Sequence, residues 1–177
     1  MSLENMQVVI VTADFFEESE IIYPFHRLRE AGATVTLASP QAGPLVGKSG
    51  FRGLAADKSF EELEDSSFDA VLIPGGFAPD IVRRSEPVLQ FLRSMNAADK
   101  PIGMICHGGW AGISAGIVAG RGLTSVPSIR IDLENAGATW TDQAVVEDGN
   151  LVTARVPGDM GAWMKAFVGL LERAATK

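Results

Sequence analysis

Short apolar runs alternate with amphipathic stretches along this chain, and the alternation predicts an α/β protein. Residues 8–11 are all β-branched, as is typical of a strand buried on both faces. Between Ile21 and Leu28, apolar residues recur at helical spacing, and Gly32 favours the end of that helix. Residues 34–38 predict the next strand, so the start of the chain has the length of one βαβ unit.

The middle of the chain continues the alternation. Buried strands are predicted at residues 69–73 and 102–105, with an amphipathic helix over 88–95 between them. The glycine-rich residues 40–56 show no clear period and predict an irregular or hairpin excursion. A short helix is predicted at residues 60–63.

The last third adds three elements. A helical face runs from Trp110 to Val118 and is expected to end at Gly120. Asp148-Gly149 between two apolar pairs predicts a hairpin, and residues 160–174 predict a final amphipathic helix. The whole pattern indicates a three-layer α/β sandwich, with a mostly parallel sheet and helices on both faces.

Composition narrows the class of protein. The chain has 177 residues, of which 46% are apolar, so we expect one domain over residues 1–177 with its core at about residues 8–171. A formal charge of −7 argues against nucleic acid or an anionic membrane surface as a partner. No secretory signal and no run of about 20 apolar residues is present, which predicts a cytoplasmic protein. The single cysteine excludes an internal disulfide.

Polar or glycine-rich segments follow three of the predicted strands. They are Glu17, then Gly75-Gly76, then Cys106-His107-Gly108-Gly109. In an open parallel sheet, ligands bind at the carboxyl ends of the strands. The sequence therefore predicts a site at this edge of the sheet.

Cys106 stands where a strand turns into a helix, which resembles a nucleophile elbow although Gly-x-Ser-x-Gly is absent. The helix N-terminus and a neighbouring imidazole would both favour the thiolate. Gly108 and Gly109 let the backbone pass close to a substrate, and the amides of Gly76 and His107 could form an oxyanion hole. The alternative is a small core cysteine, and the residues alone support the two interpretations about equally.

The two histidines and Trp110 indicate a function less specifically than Cys106 does. Adjacent side chains point in different directions, so His107 is not expected to act simply as the general base of Cys106. His26 is expected to face solvent or to pack beside its helical neighbour. Trp110 either lines the substrate pocket or belongs to the core.

The acidic candidates also have ordinary interpretations. Glu17 and Asp80 each precede or begin a predicted helix, where a carboxylate complements the helix dipole. One cysteine and two separated histidines make no metal-ligand cluster. Gly75-Gly76 does not extend to a dinucleotide motif. Neither a metal nor a cofactor is expected.

Several separated motifs resemble those of the ThiJ/PfpI family, in the same order and over about residues 8–171. They are residues 12–18 (TADFFEE) with 20–24 (EIIYP), 74–80 (PGGFAPD), 105–108 (ICHG), 113–116 (ISAG), 120–124 (GRGLT), 132–133 with 135–138 (DL, NAGA), and 148–153 (DGNLVT). The PfpI-like branch of intracellular proteases, stress proteins and deglycases is the most similar one.

The resemblance implies a flavodoxin-like fold related to class I glutamine amidotransferase domains. It implies that Cys106 is the nucleophile and that Glu17 contacts its sulfur as a protonated carboxyl. It implies an oxyanion hole from the Gly76 and His107 amides. It also implies that His107 pairs with an acidic residue of a neighbouring subunit, matched here by Asp80, in a homodimer or larger homo-oligomer.

Three positions depart from the family pattern. Gly109 replaces a frequent proline, which would loosen the helix start. Asp80 is one methylene shorter than the usual glutamate, which questions its reach to His107. Val126 replaces a tyrosine and supplies no hydroxyl.

Three functions are consistent with these residues. The first is a Cys106-dependent enzyme, acting either on amides as a peptidase or on reactive aldehydes and their adducts as a glyoxalase or deglycase. The shorter Asp80 slightly favours aldehyde chemistry, because an aldehyde needs no strong leaving-group acid. The second is a redox sensor that works by oxidation of Cys106. The third is a small-molecule enzyme such as an isonitrile hydratase, which a histidine directly after the cysteine argues against.

Overall fold

A seven-stranded sheet forms the middle layer of the computed structural model, which describes residues 3–176. Its strands are β1 (Gln7–Val11), β2 (Thr34–Ser39), β5 (Lys58–Ser59), β6 (Ala70–Ile73), β7 (Ile102–Ile105), β10 (Val145–Asp148) and β11 (Leu151–Ala154). Two small two-stranded sheets are added by β3 (Gly43–Leu45) with β4 (Leu54–Ala56), and by β8 (Gly122–Leu123) with β9 (Thr139–Trp140). β1, β6, β7 and β11 are almost entirely buried, in keeping with their mostly apolar sequences.

The strand order is β10-β11-β7-β6-β1-β2-β5, and only β10 runs antiparallel to its neighbour. From β1 the chain first moves outward to β2 and β5, then returns to place β6 on the other side of β1. This reversal creates a topological switch point between β1 and β6, the place where open α/β sheets bind ligands. β7 lies beside β6, so its carboxyl end adjoins the same crevice.

Helices cover both faces of the sheet. They are α1 (Ser19–Glu30), α2 (Ala78–Val82), α3 (Glu86–Ala97), α4 (Gly109–Ala115), α5 (Arg130–Asn135) and α6 (Met160–Ala174). Gly103 faces Phe167 of α6, whereas Met104 contacts Gly112 of α4. Because successive strand residues point to opposite faces, α6 and α4 lie on opposite sides of β7. α1 packs with α6, and α3 packs with α4.

The fold class and most predicted elements are confirmed. The excursion at residues 40–56 is the β3–β4 hairpin, and residues 60–62 form a short 3₁₀ turn. The helix that begins beside Cys106 is shorter than predicted, because the chain leaves it at Gly116 with a positive φ of 73° rather than at Gly120. Ile117 and Val118 nevertheless remain buried. Within residues 3–176, no helix combines the length and apolar character needed to cross a membrane.

Candidate active site

Cys106 lies on a sharp turn directly after β7. Its φ is +59°, a left-handed conformation that residues other than glycine adopt rarely and at an energetic cost. A 3₁₀ turn over Cys106–Gly108 leads straight into α4. The turn packs so closely on β6 that a Cβ on Gly108 would stand 2.3 Å from the carbonyl oxygen of Ile73. The elbow predicted from sequence is therefore present, and Gly109 begins the helix without a proline.

The imidazole of His107 reaches back to the thiol, contrary to the sequence expectation. His107 Nδ1 lies 3.3 Å from Cys106 Sγ. Side chains alternate in an extended strand, but the tight turn at Cys106 brings these two neighbours to the same side. On its other edge, His107 Nε2 lies 3.3 Å from the hydroxyl of Ser128. Burial, followed by the positive charge of Lys48, lowers the pKa of His107, so the neutral imidazole is favoured.

The carboxyl group beside Cys106 belongs to Glu20, and the prediction of Glu17 for this position is wrong. Glu20 is only 1% exposed, and one of its oxygens accepts a 2.7 Å hydrogen bond from the amide of Gly75. A Cβ on Gly75 would stand 2.7 Å from Cys106 Cβ and 2.8 Å from the same carboxyl oxygen. Glu20 lies in α1 on its buried face, whereas Glu17 precedes the helix and points elsewhere.

Glu17 forms an ion pair with Lys48 at the rim of the site. Its carboxylate also accepts a 2.8 Å hydrogen bond from the hydroxyl of Ser19. Partial burial by itself would raise the pKa of Glu17, but the hydrogen bonds and charge of Lys48 and the Ser19 contact outweigh it and leave that pKa lowered. Lys48 comes from the β3–β4 loop, whose backbone is fixed by a 2.9 Å bond from its amide to the carbonyl of Phe16.

Glu20 and Cys106 share a buried environment that resists a second negative charge. Burial raises the pKa of Glu20 to about 7. Burial, and secondly the charge of Glu20, raise the pKa of Cys106 to about 12, whereas the amides of Gly76 and His107 oppose that rise. Two such groups titrate as a coupled pair. The sulfur can become anionic most easily when Glu20 holds its proton, or when the thiol proton passes to His107 as a bond forms.

The two amides predicted as oxyanion donors act on the sulfur electrostatically. The backbone amides of Gly76 and His107 both lower the pKa of the Cys106 thiol and so oppose the effect of burial. Gly76 has φ +75°, and a Cβ there would stand 2.4 Å from the amide nitrogen of Glu17. The loops that follow β1 and β6 are thus pressed together, and only glycine fits at this position.

Asp80 pairs with a residue of its own helix, whereas Trp110 packs beside His107. Asp80 is in the first turn of α2, where its exposed carboxylate pairs with Arg84. The Trp110 ring is partly buried, with its centroid 5.0 Å from that of His107. Its indole N–H donates to Asp132 at 2.9 Å. Trp110 therefore forms a wall beside the imidazole.

Three residues of the site were not identified from sequence. Glu20 had a usable signal, because it shares the buried stripe of α1 with Pro24 and Leu28 at steps of four. Lys48 and Ser128 gave no signal, since a long-range loop and a 3₁₀ turn bring them in. Across residues 3–176, no group of three or more His, Cys, Asp or Glu side chains is arranged to hold a metal ion.

The sheet, its switch point and the cysteine at the strand-to-helix turn define a flavodoxin-like α/β protein with a cysteine-centred site. The chain belongs to the DJ-1/PfpI family, whose model matches residues 6–170. The resemblance seen in the sequence motifs is thereby confirmed.

Individual relatives match nearly the whole chain. A deglycase of Pyrococcus abyssi is 47% identical over 167 residues, covering 94% of this chain and 100% of that protein. Protein/nucleic acid deglycase 2 of Escherichia coli is 41% identical over 169 residues, covering 94% and 98%. The crystal structure of a two-domain protein from Anabaena variabilis, with DJ-1/ThiJ/PfpI-like and ferritin-like domains, superposes with a TM-score of 0.92 at 34% identity. The superposition covers 95% of this chain and 48% of that one.

Proposed function

We propose that this protein is an enzyme that uses Cys106 as a nucleophile against reactive aldehydes, such as methylglyoxal, or their adducts on proteins. The observation that carries the proposal is the 3.3 Å contact between Cys106 Sγ and His107 Nδ1, beside the buried carboxyl of Glu20. The relatives named deglycases support the same chemistry. A reducing compartment such as the cytoplasm would suit an enzyme that depends on one free thiol.

The first step is addition of the thiol to the aldehyde. The sulfur forms a bond to the carbonyl carbon while the thiol proton passes to His107 Nδ1. The carbonyl π electrons move to the oxygen, which the amides of Gly76 and His107 stabilise. Return of that proton to the oxygen gives a neutral hemithioacetal. An aldehyde requires no leaving-group acid at this stage.

Glu20 suits the second step for methylglyoxal. Its carboxyl has a pKa raised to about 7 by burial, so it can both accept and donate protons near neutral pH. Moving one proton from the hemithioacetal carbon to the adjacent ketone carbon, through an enediol, turns the adduct into a thioester. Water then cleaves the thioester to lactate and restores the thiol. These steps consume one water molecule and need no cofactor.

We further propose that the protein acts as a homodimer, or a larger assembly built on it, that covers the edge carrying Asp80. Phe77 is 66% exposed and Phe15 is 52% exposed, and their backbones are joined by a 2.8 Å hydrogen bond. Two exposed aromatic residues held together by their backbones support an interaction surface at this edge. A second copy seated there would bring its own Asp80 toward the crevice.

The test of function compares the protein with its Cys106→Ser variant for loss of methylglyoxal, with a fluorogenic peptide assayed in parallel. Loss of methylglyoxal that requires Cys106 supports the proposal. Peptide release that requires Cys106 would indicate a peptidase instead. No Cys106-dependent turnover of either would refute the proposal and favour a redox sensor.

The test of assembly is sedimentation of the protein and its Phe77→Ser variant. We expect a dimer or larger species that dissociates in the variant. A monomeric wild-type protein at micromolar concentration would contradict the dimer.

A further inference from the structure

The outer nitrogen of His107 has a partner in its own chain, and that partner lies outside the sequence motifs. We propose that Ser128 is a positioning residue for His107, whose hydroxyl oxygen accepts the Nε2 hydrogen and so leaves Nδ1 free to take the thiol proton of Cys106. The inference rests on the proposed function for its consequence in turnover, although the tautomer itself can be observed without any substrate.

The roles of the two imidazole contacts depend on which nitrogen carries the hydrogen. A neutral imidazole carries one N–H and one acceptor nitrogen. His107 Nδ1 faces Cys106 Sγ at 3.3 Å, and Nε2 faces Ser128 Oγ at 3.3 Å. A thiol can donate to Nδ1 only if the hydrogen resides on Nε2. The hydroxyl oxygen of Ser128 is the acceptor placed to hold it there.

Backbone hydrogen bonds connect the turn that carries Ser128, an exposed residue, to the elbow. It occupies the 3₁₀ turn Pro127–Ile129, in which Ile129 is 1% exposed and its amide donates to the carbonyl of Val126 at 3.2 Å. The amide of Val126 donates in turn to the carbonyl of Cys106 at 3.3 Å. The hydroxyl is therefore tied to the same backbone that carries the nucleophile, which limits the entropy lost on orienting the ring.

A serine hydroxyl also retains a donor of its own. Within residues 3–176, the contact with His107 is the hydrogen bond that Ser128 Oγ makes. If the oxygen accepts from Nε2, the hydroxyl hydrogen points away from the ring and can donate to a carboxylate.

The test reads the tautomer of His107 directly. The protein would be labelled with ¹⁵N-histidine, and two-bond ¹H–¹⁵N spectra would identify which nitrogen carries the hydrogen. The chain has two histidines, so a His26→Gln variant assigns the signals. The wild type, Ser128→Ala, Ser128→Thr and a control, Ser66→Ala, would be compared. Ser66 lies just before the amino end of β6, whereas the site lies at the carboxyl ends of the strands.

The same variants would be tested for alkylation of Cys106 by iodoacetamide and for methylglyoxal turnover. We expect wild type, Ser128→Thr and Ser66→Ala to hold the hydrogen on Nε2. Ser128→Ala should populate the other tautomer, slow alkylation about 3- to 10-fold and lower kcat similarly with little change in KM, as for loss of one hydrogen bond. A Ser128→Ala variant that keeps the wild-type tautomer would overturn the proposal. If the wild-type protein does not turn over methylglyoxal, the tautomer and alkylation measurements still test the role of Ser128.

Discussion

Gly75→Ala tests whether the site depends on close contact among three chain segments. The added Cβ would stand 2.7 Å from Cys106 Cβ, 2.8 Å from Glu20 Oε2 and 3.0 Å from the His107 amide nitrogen. Carbon atoms in contact normally stand about 3.5–4.0 Å apart, so the overlap with Cys106 alone is close to 1 Å. The Cys106 Cβ is attached to a constrained turn and cannot swing aside.

The carboxyl of Glu20 cannot retreat without a cost either. It accepts the Gly75 amide at 2.7 Å in a buried position. Overpacking of a core costs about 1–3 kcal/mol, and an unpaired buried group costs about 1–3 kcal/mol more. We therefore expect Gly75→Ala to lower the free energy of unfolding by about 2–6 kcal/mol. A displacement of the sulfur by about 1 Å should also reduce turnover on the order of 100-fold.

Urea denaturation and methylglyoxal turnover would measure the two effects, with Gly169→Ala as the matched control. Gly169 lies inside α6, and its added Cβ would meet only Arg173 Nη1, at 3.5 Å. That variant should keep full turnover and gain about 0.5–1 kcal/mol from helix propensity. A Gly75→Ala protein with wild-type stability and turnover would show that the packing argument for the elbow is mistaken.

Three further variants test other parts of the site. The pKa of Glu20 is raised by burial from 4.5 to about 7, so the stability it contributes is present below pH 4.5 and lost as pH rises through 7. The free energy of unfolding measured in urea should thus fall by up to about 3 kcal/mol as pH rises through 7, relative to Glu20→Gln, and parallel pH curves for the two proteins would contradict the shift. Lys48→Met should raise the pKa of His107, because it removes the positive charge that adds to burial in lowering it. NMR titration with Lys58→Met as control would detect this, and an unchanged value would count against Lys48. Gly108→Ala should destabilise the protein by about 1–3 kcal/mol in urea, since its Cβ would stand 2.3 Å from a backbone carbonyl of β6.

The sequence by itself was enough to predict the layers of the fold and the position of Cys106 at a strand-to-helix turn. Strands buried on both faces need apolar side chains throughout, so β1, β6 and β7 are visible as apolar runs with turn residues after them. The end of such a run followed by Cys-His-Gly indicates a strand-to-helix turn, and the glycines mark where another backbone passes closely. These signals are local, and local spacing is what a sequence displays.

The tertiary structure alone decided which groups meet the sulfur. Glu20 lies on the buried face of α1. Glu17 comes three residues earlier, before α1 begins, and pairs with Lys48 instead. The elbow at Cys106 reversed the expected direction of His107, because alternation holds only for extended chain. Lys48 and Ser128 arrive from segments distant in sequence, and their positions follow from strand order and loop packing. Long-range contacts of this kind leave no periodic pattern in the residues themselves.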